Sequence, residues 1–293
     1  MTRLSFLVVV LFVSGASVVA QDNPEQLIVN VSTPNPQHGT GVSLKLFLKG
    51  HELQVLNVER PPDVPLDVVF VLDNGGHQQR MMALAQDYVV MLASSVRESQ
   101  TKFTVLLAAK QPQVLEETGK ASELASRLKQ SGIAQQSGNE DAADLAGGVA
   151  EAVHILKGSP GVRVIVVVSD EDDNISGKAI QQLKEQVVSA HILCYSILLA
   201  QHDFFGTKAR SAWGVRLHQL ADYSGGEQYQ TDWQNRKADP KPLSVIAGRI
   251  SSEGLVAFKL PADLHVKSGL YTPNAQFTGD SRSIRTSPFV VAH

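Results

Sequence analysis

Five stretches of the chain, 66–72, 103–109, 162–168, 192–199 and 254–260, read as core strands, and several of them are almost continuously apolar and β-branched. That signature belongs to strands covered on both faces, because a strand with one wet face alternates apolar and polar residues. Between these runs the apolar positions recur at helical spacing. Met81, Leu84, Ala85, Tyr88, Val89, Leu92 and Val96 share one helix face, as do Leu145, Val149, Ala152, Val153 and Leu156. Ile180, Leu183, Val187 and Val188 form a third stripe, with Ser176 placed to cap it. Trp213, Leu217, Leu220 and Ala221 form a fourth stripe. Leu243, Ile246, Ala247 and Ile250 form a fifth, with Pro242 in its first turn, and a weaker helix surrounds Leu124 and Leu128.

Strands alternating with helices predict an α/β fold: a doubly wound, mostly parallel sheet with helices on both faces. This body spans 66–252. Residues 21–65 precede it as a small N-terminal β element, in which 28–31 runs out, Pro36 to Gly41 turns the chain and 42–48 returns it; Pro61, Pro62 and Pro65 make a stiff linker. Residues 253–293 follow as a C-terminal β-hairpin pairing 254–260 with 284–291 across a long polar loop.

With 293 residues, 43% apolar and 19% charged, the composition is globular. A net charge of −3 gives no basic excess for nucleic-acid binding. Arg3, the apolar run 4–13 and the small residues leading to Ala20 have the layout of an export signal cleaved after residue 20. The expected location is therefore periplasmic or extracellular, with no membrane span left after cleavage. The single cysteine, Cys194, lies in an apolar run and reads as a buried core thiol, with no intramolecular disulfide available to it.

In an open α/β sheet, ligands sit outside the carboxyl ends of the strands, where the strand order reverses. Two strand ends are acidic: Asp73-Asn74-Gly75-Gly76-His77 and Ser169-Asp170-Glu171-Asp172-Asp173-Asn174. If these strands are neighbours, Asp73 and Asp170 converge, and two carboxylates there need solvent or a cation. Val69-Phe70-Val71-Leu72-Asp73 with its glycine-rich turn resembles the opening of a von Willebrand factor A-type domain. Val166-Val167-Val168-Ser169-Asp170 is similar to that family's later strand, which ends in Ser/Thr-Asp-Gly. The segment 220–229 is similar to its closing helix, Gly-Gly turn and last strand. The flanking β pieces resemble those of a secreted bacterial subgroup.

The resemblance implies a sheet of about six strands with one antiparallel edge, and a protein-binding function mediated by a divalent cation. The family's cation site is D-x-S-x-S, a loop Thr and the later Asp. Carried over, the two carboxylates are Asp73 and Asp170, but Gly75 and His77 stand where the serines belong, the loop 137–141 has no Thr, and Glu171 replaces the Gly. Mg²⁺ prefers octahedral oxygen ligands, so the loss of three hydroxyls weakens such a site; the nitrogen of His77 suits a transition metal better. Asp73, His77 and Asp170, with Glu140 or Asp141, make the altered set.

No cofactor is firmly implied beyond that possible divalent cation. The expected function is non-enzymatic, extracytoplasmic protein binding or scaffolding through Asp73, Asn74, Gly75, His77, Asn139, Glu140, Asp170, Glu171 and Asp172. The alternative is a metal-dependent adhesion module using Asp73, His77 and Asp170. A third reading is a phosphohydrolase with Asp73 as nucleophile, although such enzymes carry a second Asp where this chain has Gly75. No nucleophile elbow, Walker A loop or dinucleotide fingerprint is present. His154 reads as a satisfied structural histidine on an apolar helix, and Asn30-Val31-Ser32 matches a glycosylation sequon.

Overall fold

The computed structural model describes residues 26–32, 44–74, 79–131, 144–169, 176–200, 212–232, 238–277 and 284–291. In chain order the first elements are β1 (Leu27–Ser32), β2 (Leu44–Leu48), β3 (His51–Glu59), β4 (Leu66–Asp73), α1 (Gln79–Ser95), β5 (Thr101–Ala108), β6 (Gln113–Thr118), α2 (Ala121–Gln130) and α3 (Leu145–Leu156). They are followed by β7 (Val162–Ser169), α4 (Gly177–Ser189), β8 (Ile192–Ala200), α5 (Ala212–Ser224), β9 (Gln228–Asp232), α6 (Pro240–Ser252), β10 (Glu253–Lys259), β11 (Gly269–Tyr271), β12 (Asn274–Phe277) and β13 (Phe289–Val291).

The body is a six-stranded sheet in the order β6-β5-β4-β7-β8-β9, parallel except for β6, which runs antiparallel to β5 at one edge. Its strands are apolar on both faces because both faces are covered. Val68, Phe70 and Leu72 pack with α1, α2 and α6 on one side, whereas Val69 and Val71 pack with α3, α4 and α5 on the other. The helical stripes read from the sequence are the buried faces of α1, α3, α4 and α6. Ser176 caps α4, accepting from Ala179 N at 3.1 Å. Tyr88 is fully buried; its hydroxyl shares a 2.6 Å bond with Thr231 and accepts from Asp239 N at 2.9 Å, tying α1 to β9 and to the start of α6.

The flanking segments pair differently from expectation. β10 does not form a hairpin with 284–291; it lies between β1 and β3, antiparallel to both. Nor does β1 pair with β2. The order is β1-β10-β3-β2-β12, so strands from before and after the body form one sheet. Bridges Val31↔Thr286 and Ala275↔Ile284 then join the two outer strands of this sheet through the segment 284–286, which curls it into a barrel-like closure. Closure follows from burial: Val29, Val31, Leu46, Leu53, Val256, Phe258 and Ile284 fill one interior that no two-stranded hairpin would cover. β13 pairs instead with β11, and Phe289 stacks edge-on against Phe258 with centroids 5.1 Å apart. The proline segment is no free spacer, since Val64 is buried and its carbonyl accepts from the Arg97 guanidinium at 2.6 Å.

One smaller expectation also changes: His154 is exposed. Asn30 is 1% exposed, with its side-chain amide donating to His191 O at 3.2 Å, so it is a core polar group rather than an acceptor for a glycan.

Candidate functional site

The chain leaves β4 through α1 to reach β5 on one side, while β7 flanks β4 on the other, so the strand order reverses at β4. This is the switch point of the sheet, and its crevice opens above the carboxyl ends of β4 and β7. Leu72 pairs with Val168, which sets Asp73 beside Ser169. Ser169 is 1% exposed and its hydroxyl donates to Asp73 Oδ2 at 2.5 Å. A charge-assisted bond of this kind holds the carboxylate of Asp73 toward β7. Asp73 and Asn74 are both half-buried.

The third wall is the start of α3. Asp144 caps it, accepting from Gly147 N at 2.7 Å. Gly148 lies against β5 so closely that a Cβ there would meet Ala108 Cβ at 2.6 Å, and only glycine brings this helix end onto the sheet. The amino end of α3 thus lies beside the carboxyl end of β5.

Of the residues expected at this face, Asp73 and Asn74 are in place on the switch-point rim. Gly75, His77, Asn139, Glu140, Asp170, Glu171 and Asp172 lie outside the described residues. Ser169 and Asp144 join the rim without having been singled out by sequence reasoning. The hydroxyl in Ser169-Asp170 was the available signal for the first, and the Asp-x-x-Gly spacing for the second.

Of the residues that the resemblance gives as cation ligands, only Asp73 lies among the described residues. Asp73 Oδ2 already accepts from Ser169, Gly75 offers no side chain, and His77 offers nitrogen where an oxygen is required. Among the described residues no three His, Cys, Asp or Glu side chains gather as a metal site. Cys194 is buried under α5 and its thiol is pushed up to about 12 by that burial, which makes it inert at neutral pH. No described helix is long and apolar enough to cross a membrane.

A sheet of six strands with one antiparallel edge is what the sequence resemblance implies, and the observed order β6-β5-β4-β7-β8-β9 is the doubly wound one. The fold is von Willebrand factor A-like. No family model matches the chain, and no curated protein matches it. Among solved structures it is similar to an aerotolerance-related membrane protein from Bacteroides fragilis, at 14% identity and a TM-score of 0.48, over 63% of this chain and 98% of that one. It is similar to BatB from Bacteroides thetaiotaomicron at 13% identity and a TM-score of 0.46, over 64% and 97%. It is also similar to a von Willebrand factor type A protein from Catenulispora acidiphila at 11% identity and a TM-score of 0.47, over 92% and 74%. The fold assignment rests on strand order and register rather than on these likenesses.

Proposed function

We propose that the protein is an exported, non-enzymatic binding module that holds a protein partner at the loops above the carboxyl ends of β4 and β7, with weak or no dependence on metal. One observation carries the reading: Asp73 stands at the switch point of the sheet, fixed by Ser169, in a position where open α/β sheets take their ligands. The acidic loop 170–174 that follows Ser169 in sequence adds negative charge, so the partner presents a basic surface. Gly75 and His77, replacing the family's hydroxyl ligands, favour contact by carboxylate and backbone over contact through a shared cation.

The test is capture of a partner from the extracytoplasmic fraction of the source cells by protein lacking residues 1–20, in chelator. Capture that survives chelator and is lost in Asp73→Arg and Asp170→Arg supports the reading. Capture unaffected by both substitutions would overturn it.

The second reading, a divalent-metal-dependent adhesion module with Asp73, His77 and Asp170 as ligands, is favoured by the adjacency of β4 and β7, the two strands that carry the acidic loops. Under it, one of Mg²⁺, Mn²⁺ or Zn²⁺ raises the melting temperature of the chelated protein by mass action, and Asp73→Ala abolishes the rise. The phosphohydrolase reading requires turnover of a phosphoester that disappears in Asp73→Asn.

A further inference from the structure

The opposite end of the body, where it meets the barrel, holds a buried cluster of ionisable groups that partner binding at the switch point does not use. α6 passes into β10 with no residue between them: Ser252 ends the helix and Glu253 begins the strand. Glu253 is therefore the covalent joint of the two parts, and it is 3% exposed. Its neighbours come from every side. Arg249 lies one turn back on α6, Tyr195 reaches in from β8 and Arg285 comes from the segment that closes the barrel, while Ser32 of β1 pairs with Glu253 across the sheet and its hydroxyl lies 3.2 Å from that of Ser252. β3 contributes Glu59, which is exposed, while the charged residue of β7, Arg163, is spent on the carbonyls of Ser159 and Ala190.

Both guanidiniums are paired with another carboxylate. Glu227, just before β9, is ion-paired with Arg249 and lies 3.6 Å from Arg285; it also accepts from the Tyr229 hydroxyl at 3.1 Å. Arg285 further donates to the carbonyl of Gly226. Among the described residues no ion pair within 4 Å reaches Glu253, and the buried hydroxyl of Tyr195 has no hydrogen-bond partner. An ionised carboxylate here is desolvated without a direct counter-ion.

We propose that Glu253 is a pH-sensitive latch between body and barrel, closed while its side chain is a neutral acid and loosened when it becomes a carboxylate. Burial pushes its carboxyl up to about 8, against the lowering pull of Arg285, Ser32 and Arg249. A group raised in the closed state stabilises that state fully below the ordinary carboxylate range. The stabilisation is lost as pH rises through that range towards about 8, and no more is lost beyond. Within the window the constant for opening the joint rises about tenfold per pH unit. The inference does not depend on what binds at the switch point.

Hydrogen exchange of the full folded chain at about pH 5.5 and about pH 8.5, corrected for intrinsic rates, reads the latch directly. The reporting amides are Ser32, bonded to Arg285 O at 3.0 Å, and Ser287, bonded to Asn30 O at 2.9 Å. In the wild type their opening rises at least tenfold at the higher pH, whereas amides of β4 and β7 hold. In Glu253→Gln the rise disappears. Equal protection at both pH values in the wild type, or an unchanged rise in Glu253→Gln, overturns the proposal. If that variant does not fold, carboxyl-carbon NMR of the wild type decides: one glutamate titrating far above the others supports the latch, and all glutamates titrating in the ordinary range refute it.

Discussion

Tyr88→Phe removes one oxygen atom and nothing else from the centre of the body. The ring stays buried against β4 and α6, so the apolar packing is unchanged. Two partners are stranded: the Thr231 hydroxyl, at 2.6 Å and itself buried, and the backbone N–H of Asp239, at 2.9 Å on the rim of α6. A buried polar group left unpaired costs about 1–3 kcal/mol, and one that reaches solvent costs less. Asp239 is exposed and its N–H recovers a water, so Thr231 carries most of the loss and the expected total is about 2 kcal/mol. Urea unfolding reads this as a lower midpoint at constant slope, because the surface exposed on unfolding is unchanged. Thr231→Val alone strands the Tyr88 hydroxyl on that side. The double variant Tyr88→Phe/Thr231→Val leaves neither buried hydroxyl, so its cost falls short of the sum of the singles by about 0.5–3 kcal/mol. A loss under about 0.5 kcal/mol for Tyr88→Phe, or strictly additive singles, would refute the claim that this bond ties α1 to β9.

Gly226→Ala should abolish folding or cost about 3 kcal/mol or more, since an added Cβ would overlap the carbonyl oxygen of Cys194 on β8; circular dichroism and a melt check it. The thiol of Cys194 should resist a chromogenic disulfide reagent at about pH 8 in the native protein and react as one equivalent in denaturant; fast native labelling would contradict its burial. Ser169→Ala should lower stability by about 1–2 kcal/mol and, under the proposed function, weaken partner capture by removing the bond that draws the Asp73 carboxylate toward β7.

The body was legible in the sequence because its burial is periodic. Continuous β-branched runs mark strands covered on both faces, and stripes at i, i+3, i+4 mark the helices that cover them; 66–72, 162–168 and the face of α1 needed no other information. Two acidic strand ends and the Gly-Gly turn before β9 likewise pointed to the switch point and to the family resemblance. Two edge strands carry weaker signals. β6, with exposed Val114 and its acidic pair, lacks an apolar period, and β9 is short and polar.

What the sequence by itself determined is therefore the local period of each segment and the chemistry of each strand end. What only the tertiary structure decided is which segments meet. Nothing local tells β1 to pair with β10, more than two hundred residues away, rather than with β2, its neighbour in sequence. A strand pattern specifies that one face must be buried but not against what; the choice falls to the arrangement that covers Val29, Leu46, Phe258 and Ile284 in a single interior. The same closure gathers the Arg249–Glu253 joint, Arg285, Glu227 and Tyr195, drawn from four separate stretches of the chain, into a cluster that no spacing along the chain announces.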